Sequence, residues 1–174
     1  MLAALVGYSM FFSLTPATHL DHDHGLANLD AGGFLRMERV DGGRRNFVGK
    51  PGKILIMHWF SPGMEISTRE IPEILAFREV LRPDPEVEVV LVADASSWDE
   101  VLPFTDALGV PREALYLDRG RTTGRLFGIR RIPETLFYDP FGKLARQAYG
   151  TMAWRAEELL PEIARFKRGV REIH

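Results

Sequence analysis

Apolar residues along this chain follow two periods, and the places where one gives way to the other outline its elements. The run Lys53-Ile-Leu-Ile-Met-His-Trp-Phe60 is almost uniformly apolar and lies between Gly52 and Pro62-Gly63. That is the pattern of a strand covered on both faces. Val87 to Ala93 repeats it and ends in Asp94. Between these runs, Ile71, Ile74, Leu75, Ala76, Phe77, Val80 and Leu81 recur at helical spacing. They predict an amphipathic helix over 68–81, capped by Ser67 or Thr68 with Glu70 in its first turn. Arg82-Pro-Asp-Pro85 ends it.

Shorter patterns fill in the remainder. Asp41-Gly42-Gly43 between Phe34-Leu-Arg-Met37 and Arg45-Asn-Phe-Val48 predicts a hairpin. Gly49-Lys50-Pro51-Gly52 turns from it into the first apolar strand. A helix capped by Ser96 or Ser97 is expected to reach about Leu108, where Gly109 stops it. Leu115-Tyr-Leu117 reads as a short edge strand, and Thr122 to Phe127 as a short helix. Asp139-Pro-Phe-Gly142 is a second hairpin turn, joining Arg131–Tyr138 to Lys143–Tyr149. Gly150 to Trp154 leads into a last helix with Leu159, Ile163, Phe166 and Val170 at four-three-four spacing. Hairpin, strand, helix, strand, helix, hairpin and helix in that order predict an α/β protein. Its mixed central sheet carries helices on both faces and an N-terminal hairpin.

Composition narrows the chemistry. The 174 residues are enough for one domain, expected over 31–174, preceded by a segment over 1–30. A net charge of −2 gives no electrostatic case for nucleic acid or an anionic membrane surface. The absence of cysteine removes disulfides, thiolate catalysis and thiolate-bound metals together. No Ser/His/Asp order and no glycine-rich phosphate loop is present, so no organic cofactor is indicated. Trp98 and Trp154 add no cofactor signal.

The N-terminal segment divides in two. Met1 to Leu14 is mostly apolar, a length that suits an export-signal core or a short anchor better than a full membrane span. It lacks the basic stretch that such signals usually carry; export is nonetheless the expectation. His19-Leu-Asp-His-Asp-His24 follows, and His19, His22 and His24 with their aspartates are candidate ligands for zinc, copper or nickel. A polar linker is the plainer reading of the same residues.

Chemistry in such a fold collects where a central strand feeds an exposed turn and a helix N-terminus. Here that place is Ser61-Pro-Gly-Met-Glu-Ile-Ser67. Met64 is a thioether without a titratable proton, and the Ser67 hydroxyl stays protonated unless a base activates it. His58 on the strand reads as a partly buried histidine, and Glu65 as a solvated carboxylate.

This segment resembles the active-site segment of thioredoxin-like proteins, especially the ResA/TlpA type of the bacterial cell envelope. In that family a strand ending in an aromatic pair leads to W-C-x-x-C and then R-x-E-x-P. Setting Glu70-Ile71-Pro72 on E-x-P places Met64 at the first cysteine and Ser67 at the second. The C-E-P-C motif therefore reads Met64-Glu65-Ile66-Ser67, and Pro72 takes the place of the helix-kinking proline. A second signature lies at Arg131-Ile-Pro-Glu-Thr-Leu-Phe-Tyr138, where Pro133 and Asp139 match the family's cis-proline pattern. Glu134 replaces its usual small or hydroxyl residue.

The resemblance spans roughly 34–168 and implies a thioredoxin-like fold without thiol–disulfide exchange, which needs an attacking thiolate. It also implies a binding face of Trp59, Pro62, Gly63, Met64, Ile132 and Pro133, on which an extended partner segment would pair by strand addition. The expected function is a redox-inactive binding or assembly module of the cell envelope or periplasm, with membrane contact only through an N-terminal anchor. One alternative is an enzyme that activates a bound thiol such as glutathione through Ser67. A peroxiredoxin relationship would also fit that class, since C-T-x-E echoes in Ser67-Thr68-Arg69-Glu70. Another alternative is metal delivery by the His/Asp segment, with the domain as a docking body.

Overall fold

The computed structural model describes residues 36–47 and 51–169. The apolar N-terminal segment and His19, His22 and His24 lie outside the described residues. The elements are β1 (Arg36–Arg39), β2 (Arg44–Asn46), β3 (Ile54–Phe60), α1 (Glu65–Leu81), β4 (Val87–Ala95) and α2 (Trp98–Ala107). They continue with β5 (Leu115–Arg119), α3 (Thr122–Leu126), β6 (Glu134–Tyr138), β7 (Leu144–Tyr149) and α4 (Ala156–Lys167).

The seven strands of the described residues form one mixed sheet in the order β2-β1-β5-β4-β3-β6-β7. β3, β4 and β5 are parallel, while β6 and β1 run antiparallel to their neighbours β3 and β5. Every residue of β3 is buried, as the unbroken apolar run requires. Its alternating side chains divide the core in two. Ile54, Ile56 and Phe60 pack with Ile71, Ile74 and Phe77 of α1, Val101 of α2 and Leu159, Ile163 and Phe166 of α4. Leu55, Met57 and Trp59 pack on the opposite face with Phe127, Ile129 and Tyr138. Helices therefore cover both faces. None of the described helices is long and apolar enough to cross a membrane.

Two expectations are corrected. Leu115–Leu117 is not an edge strand: β5 lies inside the sheet, because β1 folds back to pair with it through Glu38 opposite Leu117 and Arg39 opposite Tyr116. The first helix begins at Glu65 rather than after Ser67. Gly63, at φ +78°, reverses the chain, extended Met64 forms the N-cap, and the Thr68 N–H donates to the Met64 carbonyl at 3.1 Å. Ser67 is thus inside the helix and turned into the protein. As expected, 150–154 leads into the last helix, which starts at Ala156, with Trp154 buried ahead of it.

Candidate functional site

Strand register decides which residues share the site. β3 ends at Phe60 opposite Ala93 of β4, and β4 and β5 leave the sheet at the same end through Asp94 opposite Asp118. β6 runs the other way, with Glu134 opposite Trp59, so the residues before Glu134 come to this same end. The sheet thereby gathers the Ser61–Met64 turn, the start of α1, the β5–α3 connection and the approach to Pro133. This is the crevice beyond the carboxyl ends of parallel strands, where open α/β sheets bind ligands.

Within this edge, Met64 is 40% exposed, with Gly63 and Glu65 exposed on either side of it and Pro62 and Ile66 half-buried. Glu65 faces Arg69 one turn on, at 3.9 Å. The Ile132-Pro133 peptide bond is cis. Ile132 is half-buried and Pro133 buried. Among the described residues the Ile132 N–H and C=O pair with no other backbone group, whereas the Pro133 carbonyl accepts from the Gly150 N–H at 2.9 Å. Exposed Tyr149 precedes that glycine. Of the six residues expected on a binding face, Pro62, Gly63, Met64 and Ile132 reach the surface. Trp59 and Pro133 do not: Trp59 is fully buried in the core, and Pro133 is buried behind Ile132 in the chain.

Trp59 serves the edge from beneath. Its indole N–H donates to the buried Asp118 carboxylate at 3.3 Å, and the same carboxylate accepts from the Thr123 N–H at 2.8 Å and the Gly124 N–H at 2.5 Å. One aspartate thus ties the central strand to the first turn of α3, where free N–H groups favour a carboxylate. Glu134, fully buried, does the same for the approach to Pro133. Its carboxylate accepts from the backbone N–H of Arg130 at 3.0 Å and of Arg131 at 3.4 Å, and from the Gln147 amide. The substitution at 134 therefore holds a loop.

Below the degenerate motif lies a polar cluster that the sequence did not reveal. His58 is fully buried, beyond the partial burial expected. Its Nδ1 meets Thr135 Oγ1 at 2.9 Å, and its Nε2 faces Glu70 Oε2 at 3.9 Å. Glu70 Oε1 accepts from the Trp154 indole N–H at 2.9 Å and the Met152 N–H at 3.1 Å. Burial pulls the imidazole from its ordinary 6.5 down to about 3. Burial also raises the Glu70 carboxyl, against the lowering effect of the two N–H donors. Ser67 Oγ, fully buried, has no hydrogen-bond partner among the described residues. The one usable signal was the helical phase: Glu70 adjoins Ile71 and sits one turn before Ile74, on the inward face.

No protein-family model matches the sequence, and no curated protein does. Solved structures do match. MTB DsbF, in mixed oxidized and reduced forms, is 21% identical over 77% of this chain and 96% of its own, with a TM-score of 0.65. StoA from Bacillus subtilis is 21% identical over 74% of this chain and 94% of its own, at 0.60. A secreted Mycobacterium tuberculosis disulfide oxidoreductase homologous to E. coli DsbE is 17% identical over 75% of this chain and 95% of its own, also at 0.60. The fold is thioredoxin-like. No cysteine stands anywhere in the chain, so neither Met64 nor Ser67, the residues that the resemblance sets at the motif positions, offers a thiol. Among the described residues no three His, Asp or Glu side chains converge as metal ligands.

Proposed function

We propose that this chain is a redox-inactive thioredoxin-like module of the cell envelope that binds an extended segment of a partner protein. The carrying observation is the site itself. A thioether stands exposed at the N-cap where the attacking thiolate would be, while the neighbouring Ile132 keeps backbone groups free to pair with an added strand. Thiol–disulfide exchange has no nucleophile here. Serine-based activation of a bound thiol finds no support either, because Ser67 is sealed from solvent and its hydroxyl is not bonded to a base. The envelope assignment draws on the apolar N-terminal segment and on a neighbour that is a secreted oxidoreductase.

Two measurements test the reading. The purified protein should give no insulin-reducing turnover above a protein-free control. A photo-crosslinking side chain placed at Met64 should capture a protein partner in cells, and the same group at exposed Phe141 should not. Reductase turnover in a thioredoxin-free preparation, or equal capture from both positions, would overturn it.

A further inference from the structure

The β5–α3–β6 connection carries a charge pattern found nowhere else in the chain. Between 119 and 133 stand Arg119, Arg121, Arg125, Arg130 and Arg131, with no acidic residue among them, in a protein of net charge −2. Two of the five are neutralised: Arg119 by Glu38 at 3.1 Å, and Arg121 by Asp94 at 2.9 and 2.5 Å. The Arg125 guanidinium meets only the carbonyls of Arg121 and Gly120, at 3.3 and 3.1 Å. Arg125, Arg130 and Arg131 have no carboxylate partner among the described residues. Elsewhere, exposed Arg69, Arg112 and Arg155 are paired with Glu65, Asp106 and Glu158, while Arg36, Arg44 and Arg168 stand singly, exposed and without a carboxylate partner among the described residues.

Placement gives the excess charge its meaning. Asp94, Gly120, Arg121, Arg125, Ile129 and Arg130 line one shallow recess at the carboxyl end of the parallel strands. Arg130 and Arg131 immediately precede Ile132, whose backbone is unpaired, and their own N–H groups are fixed by Glu134. A segment added along Ile132 would meet Arg131 next to it in the chain and the recess that Arg125 and Arg130 share, and guanidinium groups match carboxylates in shape as well as charge.

Building on the strand-addition reading above, we propose that the partner segment is acidic, presenting Asp or Glu carboxylates to Arg125, Arg130 and Arg131 while its backbone pairs at Ile132. The charges sit at the rim of the contact and set partner choice more than total affinity.

The test uses two short synthetic peptides, one of alternating Thr and Glu and one of alternating Thr and Gln, titrated into the full chain. Binding is followed by fluorescence anisotropy and by backbone amide shifts. The Glu peptide should bind about tenfold more tightly, which is what three rim charges in the middle of the exposed ion-pair range supply. That advantage should vanish in an Arg125→Gln, Arg130→Gln, Arg131→Gln variant and persist in the matching Lys variant. It should also fade in about 1 M salt, where the screening length is about 3 Å. Arg130→Gln with Arg131→Gln alone, which leaves the α3 contacts of Arg125 intact, should lose most of it. Equal shifts at Ile132 from both peptides would leave strand addition standing and overturn the acidic preference. No shift at Ile132 from either would overturn both. Phosphatidylserine vesicles or a single-stranded oligonucleotide binding through the same arginines, with the Glu peptide no better than the Gln peptide, would reassign the edge to another class of ligand.

Discussion

Replacing His58 by asparagine should flatten the acid side of the protein's stability profile. The imidazole is fully buried and held neutral, with its ring pulled from 6.5 to about 3 by burial. The unfolded chain takes up a proton near 6.5 that the folded chain refuses. The stability this group contributes is therefore complete above 6.5 and is lost as pH falls toward about 3. One proton sets the slope at about 1.4 kcal/mol per pH unit. Between 6.5 and about 5 the loss is about 2 kcal/mol, and the whole window has a ceiling of about 5 kcal/mol. Glu70, 3.9 Å away, works in the opposite sense. Its raised carboxyl favours the protonated folded form, so it contributes least above its folded pKa and gains as pH falls toward 4.5. Subtracting the two profiles cancels most of that contribution. Asparagine keeps a polar atom for Thr135 Oγ1 but cannot be protonated. Urea unfolding of both proteins at a series of pH values gives the difference directly. Parallel profiles would refute a buried neutral histidine.

Two further outcomes follow from the site's framework. Gly124→Ala should cost about 1–3 kcal/mol in unfolding free energy. The new Cβ would lie 2.8 Å from Asp118 Oδ2 and 3.2 Å from Trp59 Nε1, inside the buried knot that ties β3 to α3; unchanged stability would refute that the knot is rigid. Met64→Cys with Ser67→Cys should form an intramolecular disulfide under mild oxidant and restore measurable insulin reduction. The thiol at 64 should be modestly acidified by the start of α1, against the opposing Glu65 carboxylate, and two thiols still alkylatable after oxidation would refute a thioredoxin-type turn.

What was legible in the sequence was set by local patterns. The apolar run of β3, the helical phase of Ile71, Ile74 and Phe77, and the Asp-Gly turn of the first hairpin each recur in the structure. The interior place of β5 was not legible, because it depends on β1 returning from far along the chain, and Leu115-Tyr-Leu117 alone is too short to show it. The helix start was misplaced because Ser67 is a good cap residue by type, while the chain reversal is made by Gly63. The polar cluster escaped for a similar reason. Glu70 is buried by Trp154, 84 residues onward, and His58 meets Thr135, 77 residues onward. The arginine-rich edge went unread, because a run of basic residues in a connection gains meaning only when the register of β6 against β3 sets that connection at the site's end of the sheet.

The way the first hairpin is attached has a mechanical consequence. Among the described residues, strands β3 to β7 and helices α1 to α4 close on one another without it, while β1 and β2 join the body through β5 and a few anchors. Met37 and Phe47 pack on Tyr116, and Arg45 reaches Glu88, 43 residues onward, and the Tyr116 hydroxyl, 71 residues onward. Closing a loop of that size is entropically costly and is repaid by few contacts. The hairpin is therefore expected to seat as a latch after the body has formed. Tension applied through the chain before residue 36 reaches this latch first, so it would peel away β1 and spare β3 and the edge that β3 supports.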